Sequence, residues 1–349
     1  MPLRFAELPP GSEVRRIISP SYRTRPPEVV NAELIPRGVR KQMSAAWDRR
    51  FVPESAVSLH RLTDCFVVGE GLVFDRRHAL FQSTLTQHSV AEAEAGLAQL
   101  EAAVDVQSVN SALLCCKRGA ANYGHFLVEM LPVAHFGLRW GLPDTTRFLA
   151  PLWPGRLADI VREGFDMLGI APDRLHPCGE PVHVEELFLV LGLSAHGITL
   201  SPLALEALDA LAAEIRKGPF EKVWVSREGL PRSLADESDL CRTLYGMGWA
   251  IADPALFTFR QQIALFRGAR RIAGVSGAGL SNLVFAPRGA QATCFTPANM
   301  PDTFYWLLCE LGAKRYREIR CPQDLGLRGT EPWDTKLAIS LPDALAQLV

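Results

Sequence analysis

Lysine is scarce in this chain: only six of its 37 cationic side chains are lysine, and the rest are arginine. Net charge is also small. A formal value of −1 over 349 residues excludes the basic excess of a dedicated nucleic-acid binder. Long apolar runs are missing too. The longest strongly apolar stretch, 187–195, falls far short of the ~20 residues that cross a bilayer. None of the eight cysteines forms a C-x-x-C pair, and His176, Cys178 and His183 match no zinc spacing. No D-x-D occurs anywhere. No G-x-G-x-x-G opens a βαβ unit either, which argues against a dinucleotide-dependent oxidoreductase.

What is present describes an ordinary folded protein. Hydrophobic residues make up 48% and charged residues 21%, which excludes a disordered chain, a collagen repeat and a coiled coil. The cysteines lie mostly inside apolar runs, as buried reduced thiols do. Residues 1–50 hold ten basic and five acidic side chains, a local +5 that leaves −6 for the remainder. This reads as a solvated, arginine-rich lead. The opening MPLRFAELPPGSEVRR contains no apolar leader segment. The expectation is a cytoplasmic protein, with peripheral contact to a membrane surface left open.

The pattern of apolar residues and breakers predicts α/β alternation. Residues 1–60 are broken by Pro9-Pro10, Pro20, Pro26-Pro27 and Pro53, and read as an arm of loops and short strands. Strands follow near 65–68 and 72–74 around the turn Gly69-Glu70-Gly71, then a helix over 91–104 and a strand over 111–116. Asn122 can cap a helix that Pro132 should stop. Strands at 148–150 and 187–191 alternate with helices at 157–168 and 203–215. Lys217-Gly218-Pro219 marks a junction. After it, strands near 222–226, 249–252, 271–275, 291–295 and 316–319 alternate with helices at βαβ spacing, which implies a mostly parallel sheet. The expected domains are an arm at 1–60, an N-terminal acceptor domain at 61–218, a C-terminal nucleotide-sugar domain at 219–325 and a return segment at 326–349.

Two places carry chemistry on their residues alone. In N-Y-G-H-F-L-V-E, His125 and Glu129 are four apart, so a helix would put them on one face. A carboxylate that orients an imidazole makes a general base. Open α/β sheets bind ligands at the carboxyl ends of strands. There, Ser226-Arg227 closes one strand and Ser276-Gly277-Ala278-Gly279 closes another. Small residues at a helix start let backbone amides approach an anion, and a guanidinium forks onto it. A capped structural helix and a packing turn are the plain alternatives for the two motifs.

These residues also carry a family resemblance. N-Y-G-H-F-L-V-E-x-L-P, V-S-R-E-x-x-x-R, F-x-x-Q-I-x-L-F-x-x-A and G-V-S-G-A-G-L-S-N-L-V-F-A-P-R-G occur in order over about residues 110–320, and together they resemble glycosyltransferase family 61, the capsular-polysaccharide-biosynthesis type also called DUF563. The resemblance implies an α/β, GT-B-like fold, two Rossmann-like domains facing across a cleft. It implies an inverting, metal-independent transfer from a nucleotide-sugar donor to a glycan or lipid-linked glycan. The donor is a cosubstrate, and neither a resident cofactor nor a metal is expected. His125 and Glu129 are then catalytic. Arg227, Arg232, Glu237, Gln262, Ser276, Gly277, Ala278, Gly279 and Asn282 fall in the donor blocks. Asn122, Tyr123 and Trp306 are acceptor or sugar candidates, with Trp153 and Trp249 as weaker stacking residues and Asn299 and Asp302 as polar options. The chain departs from the family pattern at Ser276, where histidine is common, at Asp236 in place of asparagine, and at Phe295-Thr296 where an acidic residue is frequent. A catalytically inactive member that binds nucleotide or glycan as a partner subunit is the alternative reading.

Overall fold

The computed structural model describes residues 2–324 and 331–348. Residues 325–330, where the expected return segment begins, lie outside the described residues. The chain forms two compact units. One holds the residues up to Pro20 with Glu54–His196 and Ser201–Ala207; the other holds Ser21–Pro53, Gly197–Leu200 and the chain from Leu208 onward.

The first unit is built on a nine-stranded sheet. Its main path runs Arg4–Ala6, Ala79–Phe81, Leu72–Asp75, Ser55–Gly69, Gly179–Leu191, Gln107–Leu114, Arg147–Ala150, Leu175–Pro177, and Glu13–Ser19 pairs with Ser55–Gly69 off that path. The sheet is mixed rather than Rossmann-like and parallel. Ser55–Gly69 runs antiparallel to Gly179–Leu191, Leu72–Asp75 and Glu13–Ser19, while Gln107–Leu114 is parallel to its neighbours. The expected turn at 69–71 is there. It joins Val68 to its partner Leu72, and Gly71 takes φ +92 with Cys116 carbonyl backbone where a Cβ would sit. The helix Val90–Ala102 starts on a capping box, Ser89 and Glu92 exchanging hydrogen bonds. It buries Ala93, Leu97 and Leu100 against Val68, Leu72, Phe74 and Leu80.

The second unit carries a six-stranded sheet in the order Ala250–Ala252, Lys222–Val225, Arg271–Val275, Gln291–Pro297, Arg315–Cys321, Glu28–Val30. Every neighbouring pair is parallel, as the βαβ spacing predicts. Its core joins Trp224, Leu240, Leu244, Ala273, Val275, Phe295 and Ile319 to Leu337, Ala344 and Leu348, so the far end of the chain does pack back on the fold.

Two local expectations need correction. Residues 1–60 are more than loops and short strands: Arg37–Trp47 is an α-helix that buries Met43 and Trp47, and Glu28–Val30 adds the edge strand of the second sheet. Pro132 does not stop the helix that Asn122 starts. The chain runs from Tyr123–His125 through a π-turn at Phe126–Met130 into Leu131–Arg139. The Leu131 amide reaches back five residues to the Phe126 carbonyl. Proline lacks an N–H and crowds the carbonyl four residues before it; the widened turn absorbs both effects.

Candidate active site

In the first unit, Asn122 accepts a hydrogen bond from the Gly124 amide at 2.8 Å and fixes the helix start. One turn on, the Glu129 carboxylate is 3% exposed and fully engaged. His125 Nδ1 donates to Oε2 at 2.8 Å, Lys117 Nζ lies 3.0 Å from the same oxygen, and His196 Nδ1 donates to Oε1 at 3.0 Å. The two imidazoles stack with centroids 4.2 Å apart and planes inclined by 21°. Burial alone would raise the Glu129 pKa. The hydrogen bonds from both histidines and the Lys117 charge outweigh it, and the carboxyl is held well below the usual carboxylate range.

With Nδ1 as the donor to Glu129, the basic lone pair of His125 sits on Nε2. Gly119 supports that ring directly. It has φ +85, and a Cβ there would come within 3.0 Å of His125 Cδ2 and Nε2. The sequence pairing of His125 with Glu129 therefore holds, but it is half of the cluster. His196 lies 67 residues away from Glu129 and Lys117 lies before the helix, so no local spacing signals either one. Among the described residues, His125, Glu129 and His196 are also the one group of such side chains at metal-ligand spacing, their ligand atoms all within 4.8 Å. Lys117 Nζ, 3.0 Å from Glu129 Oε2, adds a positive charge beside these three groups.

In the second unit, the chain leaves Lys222–Val225 for Ala250–Ala252 on one side and then crosses to Arg271–Val275 on the other. The strand order reverses between Lys222–Val225 and Arg271–Val275, a topological switch point where open α/β sheets bind ligands. Arg227 and Gly277 stand at the carboxyl ends of those two strands. A Cβ on Gly277 would sit 2.0 Å from Arg227 Nη1, so only a bare backbone lets the guanidinium lie there. Arg227 Nε donates to the Arg232 carbonyl at 2.7 Å, and its Nη atoms meet no carboxylate among the described residues. Burial, then the charge of Arg232, lower the Arg227 pKa from its ordinary value. A bound anion would relieve both effects. Arg232 Nη1 is 3.5 Å from Asp334 Oδ1, and its buried Nε has no hydrogen-bond partner among the described residues. Ala278 and Gly279 begin the 3₁₀ helix Ala278–Phe285, ahead of its first bond from the Leu280 amide to the Gly277 carbonyl at 2.9 Å. An α-helix was expected here; the tighter helix still presents first-turn amides.

The other residues of the donor blocks build this cradle from behind. Glu237 is 2% exposed, with Oε1 accepting from Trp224 Nε1, Ser226 Oγ and the Arg227 amide, and Oε2 from the Leu234 amide. It shapes the loop carrying both arginines. Gln262 and Asn282 are buried and bond each other, Asn282 Nδ2 to Gln262 Oε1 at 2.8 Å. They clamp the 3₁₀ helix to Phe259–Gly268. Ser276 is fully buried, its Oγ 3.5 Å from Met300 Sδ. Trp306 is 2% exposed with Nε1 bonded to the Arg25 carbonyl, and Trp249 is buried; both are core side chains, not open stacking faces. Asn299 Nδ2 bonds the Pro332 carbonyl, and Asp302 Oδ1 accepts from the Phe304 amide. Tyr123 is half-buried beside the Asn122 cap. His176 and His183 bond Gln107 and Asp64, away from any shared metal point.

The first unit thus holds a carboxylate-anchored histidine, and the second a guanidinium laid on bare backbone beside first-turn amides. The Glycosyltransferase 61 family model matches residues 123–293, which contain both sets of residues apart from Lys117, and through that stretch the chain belongs to glycosyltransferase family 61. It is a transferase of sugars, and members of such a family use, in general terms, a nucleotide-sugar donor and a glycan acceptor. No curated protein matches the chain at a significant level.

Proposed function

We propose that this protein is an inverting, metal-independent glycosyltransferase that moves a hexosyl or pentosyl group from a nucleotide sugar to a hydroxyl of a glycan or lipid-linked glycan. The observation that carries the reading is the Arg227 guanidinium laid on the bare backbone of Gly277 at the switch point, with no ion-paired carboxylate among the described residues. A diphosphate is the anion that a fork of N–H groups and first-turn amides fits. The proposal includes the GT-B-like arrangement that the resemblance implies, with the mixed sheet of the first unit as a departure from a Rossmann-like domain. It also includes a cytoplasmic site of action with peripheral access to a membrane. Among the described residues no helix is long and apolar enough to cross one.

In the proposed step, His125 Nε2 takes the proton of an acceptor hydroxyl. The hydroxyl oxygen forms the new bond at the anomeric carbon as the bond to the diphosphate breaks on the opposite face. Glu129 holds the ring and stabilises the imidazolium. Arg227 and the amides of Ala278 and Gly279 take up the charge on the departing diphosphate. Base catalysis of this kind is worth roughly 10²–10⁴-fold.

Calorimetry with a panel of nucleoside diphosphates and a sugar-transfer assay test the reading together. Arg227→Gln should weaken diphosphate binding at least tenfold, and His125→Ala should bind donor normally but turn over at least a hundredfold more slowly. Unchanged diphosphate binding in Arg227→Gln overturns the donor site. Tight binding with no transfer by the native protein would select the inactive, partner-subunit reading, for which the buried Ser276 at the position of a common histidine is the motive.

A further inference from the structure

We propose that the second unit carries another anion site, for a phosphate-bearing ligand, at the amino end of its parallel sheet, formed by Arg271, Arg315 and Arg317. A cavity of about 310 Å³ opens there, lined by these three arginines with Glu28, Gln291 and Thr293. That volume holds about ten waters, ample for a pyrophosphate.

The strand register explains the convergence. Arg271 partners Gln291, which partners Arg315; one pleat further on, Thr293 partners Arg317, which partners Glu28. Register partners and residues two apart share a face of a sheet. All these side chains therefore project together, on the face that Val275, Phe295 and Ile319 cover further along. Neighbouring strands lie ~4.8 Å apart, so Arg271 and Arg315 rise about 10 Å from each other and can reach one ligand.

Charge is the second argument. Among the described lining residues, three guanidiniums face one carboxylate, that of Glu28, a local excess of two positive charges in a concave site. Gathering like charges costs free energy, and a concave wall focuses their field on an incoming anion. Two of the arginines are also pre-positioned. Arg271 lies over the Trp249 ring at 5.4 Å and donates to the Leu348 carbonyl. Arg317 Nε is 2.8 Å from Glu28 Oε1, and its Nη1 donates to the Gln347 carbonyl at 3.3 Å. A guanidinium has five N–H donors, so each keeps several for a ligand. Arg315 is exposed and has no partner among the described residues. Gln291 and Thr293 add neutral donors. The site sits at the opposite end of the strands from Arg227 and Gly277, so a ligand here would not compete with one there. The ligand is either a free phosphoryl compound or an anionic phospholipid headgroup, which share this chemistry.

Calorimetry with pyrophosphate at low salt, on the full chain, separates this site from the donor site. The native protein should bind two equivalents, Arg227→Gln one, and the double variant Arg271→Gln/Arg315→Gln one. Arg315→Gln alone removes an exposed side chain with no hydrogen bond or ion pair among the described residues, so it tests the site at little cost to folding; it should weaken the second equivalent at least fivefold. An isotherm unchanged in both Arg271→Gln/Arg315→Gln and Arg315→Gln overturns the proposal. If instead Arg227→Gln changes nothing while the double variant loses its equivalent, the donor reading fails and this site stands. Sedimentation with phosphatidylglycerol vesicles, against phosphatidylcholine vesicles, identifies the source. Binding lost in the double variant points to the headgroup, and pyrophosphate binding without vesicle binding to a soluble ligand.

Discussion

Glu129 shows how much one side chain can organise. It is buried, yet ionised, because two imidazoles and an ammonium share its two oxygens. Removing one partner of a buried charged cluster costs about 3 kcal/mol, and Glu129→Gln should destabilise the protein by that order in urea denaturation at pH 7. The pH dependence has a defined sign. A carboxyl whose folded pKa is depressed contributes stability above its ordinary value of 4.5, and that contribution is lost as pH falls toward the folded value. The deficit of Glu129→Gln should therefore be largest above about pH 5 and shrink toward pH 3; a deficit independent of pH would contradict the assignment. Gly277 acts the opposite way, by having no side chain. Its backbone is extended, with φ 175, so Gly277→Ala carries no backbone strain, and the new Cβ meets only the movable end of Arg227. The melting temperature should stay within about 1 °C, a shift under about 1 kcal/mol, while the Kd for a nucleoside diphosphate rises tenfold or more. The glycine was visible in the sequence; that it makes room for a guanidinium 50 residues away was not.

At the scale of elements, the sequence pattern was most legible where periodicity and burial agree. The helix Val90–Ala102, the strand Arg271–Val275 and the whole βαβ series of the second unit follow their apolar spacing. It was least legible where tertiary packing overrides a local rule. Pro132 reads as a stop, but the buried apolar face from Phe126 to Phe136 keeps the helix going and the π-turn takes up the misfit. The helix Arg37–Trp47 lies among prolines that suggest only loops, and Met43 and Trp47 hold it by burial. Gln262 and Asn282 read as ligand contacts, whereas they join two helices to each other. Asn282→Ala leaves the Gln262 carbonyl buried without its donor and should cost about 2 kcal/mol. Gln262→Leu combined with Asn282→Leu should recover part of that loss, because the two amides leave together, although the Phe257 and Gly279 carbonyls lose these donors. A strictly additive double variant would show that the two amides do not act as a pair.

Across the whole molecule, all eight cysteines are buried and unpaired. Burial pushes the thiols of Cys65, Cys309 and Cys321 up to about 12 and that of Cys241 to about 11, so almost no thiolate exists near neutral pH. A colorimetric thiol reagent at pH 8 should label none within minutes in the native protein and all eight after denaturation; fast labelling of even one would contradict this burial. Composition and periodicity by themselves determined that the chain folds as α/β and where most helices and strands fall, because these depend on contacts between residues close in sequence. Tertiary structure alone decided that His196 and Lys117 share Glu129 with His125, that the strand order reverses beside Arg227, and that Glu237, Gln262, Ser276, Asn282 and Trp306 face inward. Each of those facts is a meeting of segments distant along the chain, fixed by sheet order and burial, and local spacing contains no record of it.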